Sequence, residues 1–337
     1  MINLRYHVVS LVAVFLALGM GIVMGSTVID RVTVDALNNN LNNVRSDINR
    51  TREENRKLSE QVREGQDFAD QSLIHVVRDQ LLTVPVLVIA VNGVDRKPVD
   101  ALRQSLVTSG AALQGTVWVT SKMRLDNEGE TRALAAALTS AVPTTTTTTP
   151  PAAGAPAAPA ATPSTTIAAT AGADELRQQA LARLITEPAS LAALVSAGFL
   201  AYEPPPSIDG GDPTSTTPSP GLGTVPVGGT RFVVVSGAGA EVGDDILASP
   251  LAQALATSGG RAVAAEAGQD TDGGRGVFVG LLRSDATVNG KVSTVDNLES
   301  PMGQAAVVLA LEELGSARVG HFGVGPGAQR LLPALPA

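Results

Sequence analysis

The sequence predicts an α/β protein in which an N-terminal transmembrane helix and a coiled coil precede a three-layer parallel-sheet domain built from two βαβ halves. Three observations predict this class. The first is an uncharged apolar run near the N-terminus, and the second is a heptad repeat directly after it. The third is a strand–helix–strand order that occurs twice in the remaining chain, which is typical of a parallel sheet covered by helices.

The composition excludes several classes of protein. The 337 residues carry a formal net charge of -8 without clusters of Lys and Arg, which argues against nucleic acid as a partner because phosphate binding needs a basic surface. The absence of cysteine excludes disulfides and thiolate ligands. The sequence contains no Gly-x-Ser-x-Gly or His-Glu-x-x-His pattern and only three histidines, so we expect a protein that is not an enzyme.

Residues 1–29 are predicted to form a membrane anchor. The run Val8–Val28 contains 21 uncharged positions, or about 30 Å of helix, which spans a bilayer. We expect this anchor to be retained, the alternative being a cleaved leader. Arg5 precedes the run, and Asp30 and Arg31 follow it. This pattern favours a single-pass protein of the cell membrane with its N-terminus in the cytoplasm and its bulk outside.

Residues 30–80 are predicted to form a coiled-coil stalk. Asn55 occupies an a position, where a partner Asn must meet it, and this favours a parallel homodimer in register. Asp47 at g and Arg52 at the following e agree with that pairing. The alternative is a single amphipathic helix packed on its own domain. The repeat has Val34, Leu41, Ile48, Asn55, Val62 and Ala69 at a, and Leu37, Val44, Thr51, Leu58 and Gly65 at d.

Residues 81–142 are predicted to hold the first α/β half. The apolar, β-branched run over 83–91 is typical of a strand that is buried on both faces of a parallel sheet. A helix opened by Pro98 and closed by Gly110 follows, and the next strand is predicted over 115–119. Trp118 in that strand is expected to lie in the core.

The second half, over 230–332, is predicted to repeat this order. An apolar strand, a helix that opens at Pro250 and a further strand from Arg261 follow one another. The segments 101–110 and 250–259 share Leu, Gln, Leu, Thr, Ser and Gly at matching positions, which favours an internal duplication. The alternative is that any amphipathic helix that ends in Ser-Gly looks similar.

Two low-complexity segments separate the halves. Residues 143–172 include six consecutive threonines and many Ala-Pro pairs, and residues 203–229 are rich in Pro, Gly and Thr. Neither segment can bury enough apolar surface to fold, so both are predicted to be disordered linkers. A helical hairpin is predicted between them, over 173–202.

The C-terminal region carries a resemblance to a known family. The run STVDNLESPMGQAAVVLALEEL covers residues 293–314, and GHFGVGPGA follows from Gly320. Together with the opening MINLRYHVVSLVAVFLALGMGIVMGS, these residues closely resemble the actinobacterial MctB family of copper transporters, also called copper-transport outer-membrane proteins. The resemblance implies the order of anchor, coiled coil and two α/β halves, and a role in copper transport or homeostasis at the cell envelope.

The terminal motif can be interpreted physically as well. Ser300 is a favourable N-cap, Pro301 lies at the first helical position and Gly315 ends the predicted helix. The four polar residues before this helix are predicted to form a loop at its N-terminus, where backbone N–H groups can hold an anion or a partner's carboxylate. The alternative is that these side chains cap one another. The candidate motif and partner-binding residues are Ser293, Thr294, Asp296, Asn297, Gln304 and His321.

Copper ligands in proteins are Cys, Met and His side chains. His321 and Met302 both belong to the terminal motif and form the candidate metal pair, while copper itself is implied only by the family resemblance. Met20 and Met24 lie one helical turn apart in the anchor and resemble a soft-metal pair, although Met is ordinary in lipid-facing helices. The remaining candidates are His75 and Met123.

Three functions are compatible with this sequence. The resemblance implies a non-enzymatic protein of copper transport or homeostasis. The architecture favours a dimeric cell-envelope scaffold that regulates a cell-wall or division protein. A sensor domain that binds a small ligand between the halves, at the carboxyl ends of the strands, is the third. The glycines of Gly237-Ala238-Gly239 do not have the spacing of a dinucleotide-binding loop and predict a tight turn.

Overall fold

The computed structural model describes residues 4–140, 172–206, 221–226, 228–268 and 277–334, and for residues 26–36, 189 and 224 it describes the backbone only. The predicted linker over 143–172 lies outside the described residues except for Gly172. Of the linker predicted over 203–229, residues 203–206, 221–226 and 228–229 are described, and they include the end of a strand at Glu203 and a short 3-10 helix, Leu222–Thr224. The chain divides into two compact units, residues 1–68 and residues 69–337.

Helix α1 (Leu4–Val77) accounts for the first unit and reaches into the second. Its segment Leu4–Gly25 has a mean hydropathy of 2.5 over 22 residues, so it is long and apolar enough to cross a membrane. The helix continues without interruption into the predicted stalk. The apolar heptad residues of the stalk are 45% to 58% exposed in the single chain, and the coiled coil remains a prediction. These residues are Leu37, Leu41, Val44, Ile48, Leu58 and Val62.

The second unit is built on one sheet. Its strands are β1 (Pro85–Val91), β2 (Ala112–Val119), β3 (Leu200–Glu203), β4 (Arg231–Gly237), β5 (Arg261–Ala267), β6 (Val292–Val295) and β7 (His321–Phe322). Among the described residues the strand order is β3-β2-β1-β4-β5-β6-β7. Neighbouring strands are parallel except β2 and β3, which are antiparallel. The predicted α/β class with a mainly parallel sheet is therefore confirmed.

Helices cover both faces of this sheet. They are α2 (Arg96–Thr108), α3 (Glu128–Ser140), α4 (Ala173–Thr186), α5 (Ala192–Ser196), α6 (Ala248–Ser258), α7 (Val277–Ser284) and α8 (Pro301–Glu313). In β1, Leu87 and Ile89 pack with helices α3 to α7, whereas Val86 and Val88 pack with α2, α8 and the end of α1. Burial on both faces explains why the strand is continuously apolar, and it gives the three predicted layers.

The two halves meet in the middle of the sheet. The units β1-α2-β2 and β4-α6-β5 are joined by parallel pairing of β1 with β4, in which Val88 lies beside Val233. The glycines predicted to close α2 and α6 follow those helices, with φ angles of +76° at Gly110 and +71° at Gly259. This left-handed backbone conformation favours glycine and ends each helix. The internal duplication stays a prediction.

The predicted starts of two helices are wrong by two residues. Helix α2 begins at Arg96 rather than Pro98, because the Asp95 side chain accepts a hydrogen bond of 3.1 Å from the Lys97 N–H and caps the helix earlier. Helix α6 begins at Ala248 rather than at Pro250. Proline is tolerated throughout the first turn, so its position does not mark the first residue.

Strands β3, β6 and β7 were not predicted. Strand β3 follows helices α4 and α5, takes up the last residues of the region predicted as a helical hairpin over 173–202, and adds an antiparallel edge to β2. Strand β6 contains Ser293 and Thr294, which the sequence assigned to a polar loop, and that assignment is wrong for both residues. They are buried, and partners from other parts of the chain satisfy their hydroxyl groups. Helix α8 ends at Glu313 with Leu314 as its C-cap, one residue before the predicted Gly315.

Candidate functional site

The terminal motif forms a buried polar network at the carboxyl ends of β6 and β7. Thr294 lies in β6 beside His321 in β7, and Asp296 and Asn297 follow β6 directly. All four residues are at most 5% exposed. The predicted candidates Ser293, Thr294, Asp296 and His321 are therefore brought together, but inside the domain rather than on an open loop.

An ion pair between Asp296 and Arg283 lies at the centre of this network. Arg283 Nη1 is 2.9 Å from Asp296 Oδ2. The other two nitrogens of the guanidinium also donate hydrogen bonds, Nε to Thr294 Oγ1 and Nη2 to the Phe322 carbonyl. Asp296 also accepts hydrogen bonds from the backbone N–H groups of Val324 and Gly325, at 2.7 and 2.9 Å. Both charges are thus desolvated yet fully paired, the condition under which a buried ion pair is tolerated.

A closed ring of hydrogen bonds connects this ion pair to His321. Asn289 Nδ2 donates to the Arg283 carbonyl, so Asn289 Oδ1 accepts from His321 Nε2 at 3.0 Å. His321 Nδ1 is then the unprotonated nitrogen and accepts from the Thr294 hydroxyl at 2.9 Å. The hydroxyl oxygen accepts in turn from Arg283 Nε. Burial lowers the pKa of His321, and the neighbouring Arg283 charge lowers it further, so the ring is neutral near pH 7.

The polar residues before α8 cap that helix. Ser300 Oγ accepts from the Gly303 N–H at 3.0 Å and donates to the Asn297 carbonyl, while Asn297 Nδ2 donates to Ser300 Oγ. The alternative in which the polar side chains cap one another is therefore confirmed only for Asn297, and Ser300 with Pro301 opens the helix as predicted. Gln304 lies one turn later and accepts from Ser105 Oγ in α2 at 3.2 Å, which links helices from the two halves.

The structure places the two candidate copper ligands in different surroundings. Both ring nitrogens of His321 make hydrogen bonds within the network. The Met302 side chain is 39% exposed on the first turn of α8. In the described part of the chain, no group of three or more His, Cys, Asp or Glu side chains is placed to hold a metal ion. The Met302–His321 pair stays a prediction.

The crevice between the halves is closed by backbone contact. A side chain at Gly93, after β1, would come within 2.2 Å of the Gly239 carbonyl oxygen, after β4. The Glu241 N–H donates to the Asn92 carbonyl at 2.7 Å, and Asn92 Nδ2 donates to the Glu241 carboxylate at 2.9 Å. This is the position at which doubly wound sheets bind ligands. The predicted tight turn is confirmed by the hydrogen bond from the Ala240 N–H to the Gly237 carbonyl.

A cavity of 230 Å³ lies beside this crevice, at the ends of β4 and β5. Its lining includes Asp244 and Glu266. Burial raises the pKa of Asp244, a hydrogen bond from Ser236 opposes that shift, and the nearby Asp245 charge adds to it. Glu266 accepts from the N–H groups of Val277 and Val279 and so caps helix α7. The two acids are engaged in holding the turn and the helix.

The sequence interpretation missed Arg283, Asn289 and Glu203. Arg283 resembles the polar end of an amphipathic helix, so its pattern does not indicate burial. Asn289 is exposed and belongs to the turn Asn289-Gly290, a pattern that gives no signal of the contact with His321. Trp118 is buried as predicted, and its indole donates to Glu203 at 2.8 Å. Burial alone would raise the pKa of Glu203, but the Trp118 hydrogen bond and the Arg103 and Arg96 charges outweigh it and lower the pKa.

These features define a class of α/β protein in which a long N-terminal apolar helix, fit to serve as a membrane anchor, precedes a domain whose polar motif is buried. The chain belongs to the MctB family, described as "Copper transport outer membrane protein, MctB", whose sequence profile matches residues 1–210 and 223–333. The interruption of that match falls in the second predicted linker.

Curated relatives have the same extent as this chain. "Copper transporter MctB" of Mycobacterium tuberculosis strain H37Rv is 28% identical over 330 residues, which is 97% of this chain and 98% of that protein. The Mycobacterium bovis protein of the same name matches equally. The Mycobacterium leprae protein of that name is 25% identical over 329 residues, with the same coverage. The similarity therefore includes the apolar helix, the predicted stalk and both halves of the domain.

Proposed function

We propose that the protein is a membrane-anchored, non-enzymatic component of copper transport or copper homeostasis at the cell envelope. The observation that carries this proposal is the match to copper transporters along 97% of the chain. The burial of the motif residues supports a structural rather than a catalytic role. Thr294 is hydrogen-bonded to His321, and Asp296 is paired with Arg283, inside the fold.

In this proposal the N-terminus is cytoplasmic and the domain lies outside. The apolar segment Leu4–Gly25 supplies the span. Arg5 precedes it and favours retention of the N-terminus on the cytoplasmic side. The stalk then carries the domain away from the lipid, since the residues from Asp30 to Val77 extend about 70 Å at 1.5 Å per residue.

The active form is proposed to be a parallel homodimer joined through the stalk. A coiled coil needs holes of four side chains, each of which receives one side chain from the partner helix. The surface of α1 has a hollow lined by Val44, Asp47, Ile48, Thr51 and Arg52. The first four of these residues occupy heptad positions d, g, a and d, in that order. In a parallel dimer, four side chains at these positions form the hole that receives the a residue of the partner helix. The apolar residues of this stripe are about half exposed in the single chain.

A deletion strain tests the copper function. Removal of the gene from its host should lower the copper concentration at which growth stops, and the full-length chain should restore tolerance. A chain that lacks residues 1–29 but is exported by a cleavable leader should fail to restore it, because the domain is no longer anchored. Unchanged copper tolerance in the deletion strain would contradict the proposal.

A second candidate function is a dimeric scaffold that presents the domain to a cell-wall or division protein. It is favoured by His321, the one histidine of the terminal motif, because both of its ring nitrogens are engaged inside the domain. Cross-linking in intact cells, followed by purification and mass spectrometry, separates the two functions. A cell-wall or division protein recovered with the full-length chain, in a strain whose deletion leaves copper tolerance unchanged, selects the scaffold.

A further inference from the structure

We infer that the two apolar helices of the proposed dimer hold one Cu(I) ion between the thioethers of Met20 and Met24 from each copy. This inference rests on the proposed copper function and on the proposed dimer. It assigns the metal to the anchor rather than to the domain, and it treats copper as cargo that passes through the site.

The heptad register places Met20 on the dimer seam. Positions a recur every seven residues, so the register of Leu41 and Val34 continues back through residue 27 to Met20. Helix α1 is uninterrupted from Leu4 to Val77, so the helical phase of the stalk continues to Met20. The same register places Asp30, which lies outside the apolar segment, at a d position. A straight helix drifts by about 20° per heptad, or about 40° over the two heptads concerned, which is less than the width of the contact face. Met20 of each copy therefore faces the partner.

Met24 lies at the edge of the same seam. It occupies position e, one turn after Met20, and the two side chains are 67% and 75% exposed on one face of the helix. In a parallel pair, a residue at e lies beside the residue at g of the partner five positions earlier in sequence, which is Gly19. The glycine leaves room for the Met24 side chain of the other copy to reach the axis.

Gly19 leaves space at the edge of the seam. A Cβ atom added there would meet nothing within 4 Å in the single chain, as is also true at Gly21 and Gly25, so packing within the chain does not require glycine at these positions. Glycine inside a helix is unfavourable by about 1 kcal/mol relative to alanine. In membrane helices, small residues allow close approach of a neighbouring helix. Close approach at Gly19 brings Met20 and Met24 of both copies to the axis.

The ligand chemistry selects Cu(I). Thioethers are soft, neutral ligands that favour Cu(I) over harder divalent ions. Neutral ligands also avoid charged side chains in the bilayer, and the occupied site then carries only the single positive charge of Cu(I) rather than that of a divalent ion. Met20 lies five residues before the end of the apolar segment, or about 8 Å along the helix, so the site is close to the outer surface in the proposed orientation.

The full-length protein in detergent provides the test. Cu(I) binding is measured without oxygen by competition with a coloured Cu(I) chelator, and the oligomeric state of the same sample is measured by light scattering. We expect one Cu(I) per two chains, and at least a tenfold loss of affinity in the double variant M20L/M24L, which keeps the helix apolar and of similar volume. The matched control M302L removes an exposed thioether of the domain and should bind as the unsubstituted chain does. Zn(II) should not compete.

The outcomes separate the site from the function on which it rests. A dimer that binds no Cu(I), or whose affinity is unchanged in M20L/M24L, overturns the site, while the copper tolerance of the deletion strain still reports on the proposed function. A monomeric protein overturns both the dimer and the shared site. A dimer that binds Cu(I) and loses it equally in M302L also overturns the assignment, because the metal then depends on the domain.

Discussion

Arg283 and Asp296 form an ion pair inside the domain, with 2.9 Å between Nη1 and Oδ2 and with 6% and 0% of the two side chains exposed. The pair joins helix α7 to the end of β6, and through the Phe322 carbonyl and the N–H groups of Val324 and Gly325 it also fixes the loop after β7. Charge pairing within the fold therefore holds the terminal motif in place, and loss of this pairing should lower the stability of the domain.

Substitution of one partner should be strongly destabilising. Asp296→Asn leaves the Arg283 charge buried without its counter-ion, and loss of one partner of a buried pair costs about 3–5 kcal/mol. Chemical denaturation of the purified protein, followed by the fluorescence of Trp118, measures this change. The double substitution R283M/D296L removes both charges and should cost less than Asp296→Asn alone.

An exposed ion pair supplies the control for this experiment. Arg124 and Asp126 are 3.1 Å apart with 46% and 61% of their side chains exposed. Exposed pairs contribute about 0–1 kcal/mol, so Asp126→Asn should leave the free energy of unfolding almost unchanged. Equal effects of the substitutions at 126 and 296 would show that the buried pair does not stabilise the domain.

His321 should make the domain less stable in acid. Its folded-state pKa is lowered by burial and by the Arg283 charge, so the unfolded chain binds more protons as the pH falls below about 6.5. The stabilisation due to neutral His321 is therefore complete above that pH and is lost as the pH falls towards the folded-state pKa. The difference in unfolding free energy between the unsubstituted protein and H321Q should shrink between about pH 7 and pH 5. A difference between the two proteins that stays constant over this range would contradict the prediction.

Gly323 should not tolerate a side chain. Its φ is +122°, and a Cβ atom would lie 2.2 Å from Asp296 Oδ1. Gly323→Ala therefore combines backbone strain, about 1–3 kcal/mol, with displacement of the buried carboxylate. Gly290 is the matched control, because its φ is +89° but a Cβ atom there meets nothing within 4 Å. Thermal unfolding should show a larger loss for Gly323→Ala than for Gly290→Ala, and equal losses would remove the role assigned to the contact with Asp296.

The parts of the fold that the sequence predicted are those whose signals are local. The strands β1, β4 and β5 are continuous apolar runs, and Gly110, Gly259 and Ser300 act on the helix ends beside them. Strand β6 escaped prediction because its burial depends on distant partners. The Ser293 hydroxyl accepts from the Gly320 N–H, 27 residues later, and such pairing leaves no periodic pattern.

The candidate site shows the same division. The sequence grouped Thr294, Asp296 and His321 because they belong to one motif, and the structure brings them together. It did not indicate Arg283, since a single cation at the end of an amphipathic helix is ordinarily solvated. That cation becomes buried only when strand β7 and the loop after it pack over it, where the carbonyl groups of Phe322 and Pro326 accept hydrogen bonds from the guanidinium.

The stalk should cross-link in one register only. The chain has no cysteine of its own, so a single introduced thiol reports on its partner without background. Ile48→Cys places a thiol at an a position, where the two copies of a parallel dimer face each other at a spacing that suits a disulfide. Mild oxidation of membranes that contain this variant should convert most of it to a covalent dimer on a non-reducing gel. Ser46→Cys, at the outward f position two residues earlier, should remain largely uncross-linked. Adding Asn55→Leu to Ile48→Cys should raise the stability of the stalk but lower the yield of the disulfide, because the buried Asn no longer penalises pairing in a shifted register. Equal cross-linking at positions 46 and 48 would mean that the heptad stripe is not the contact surface.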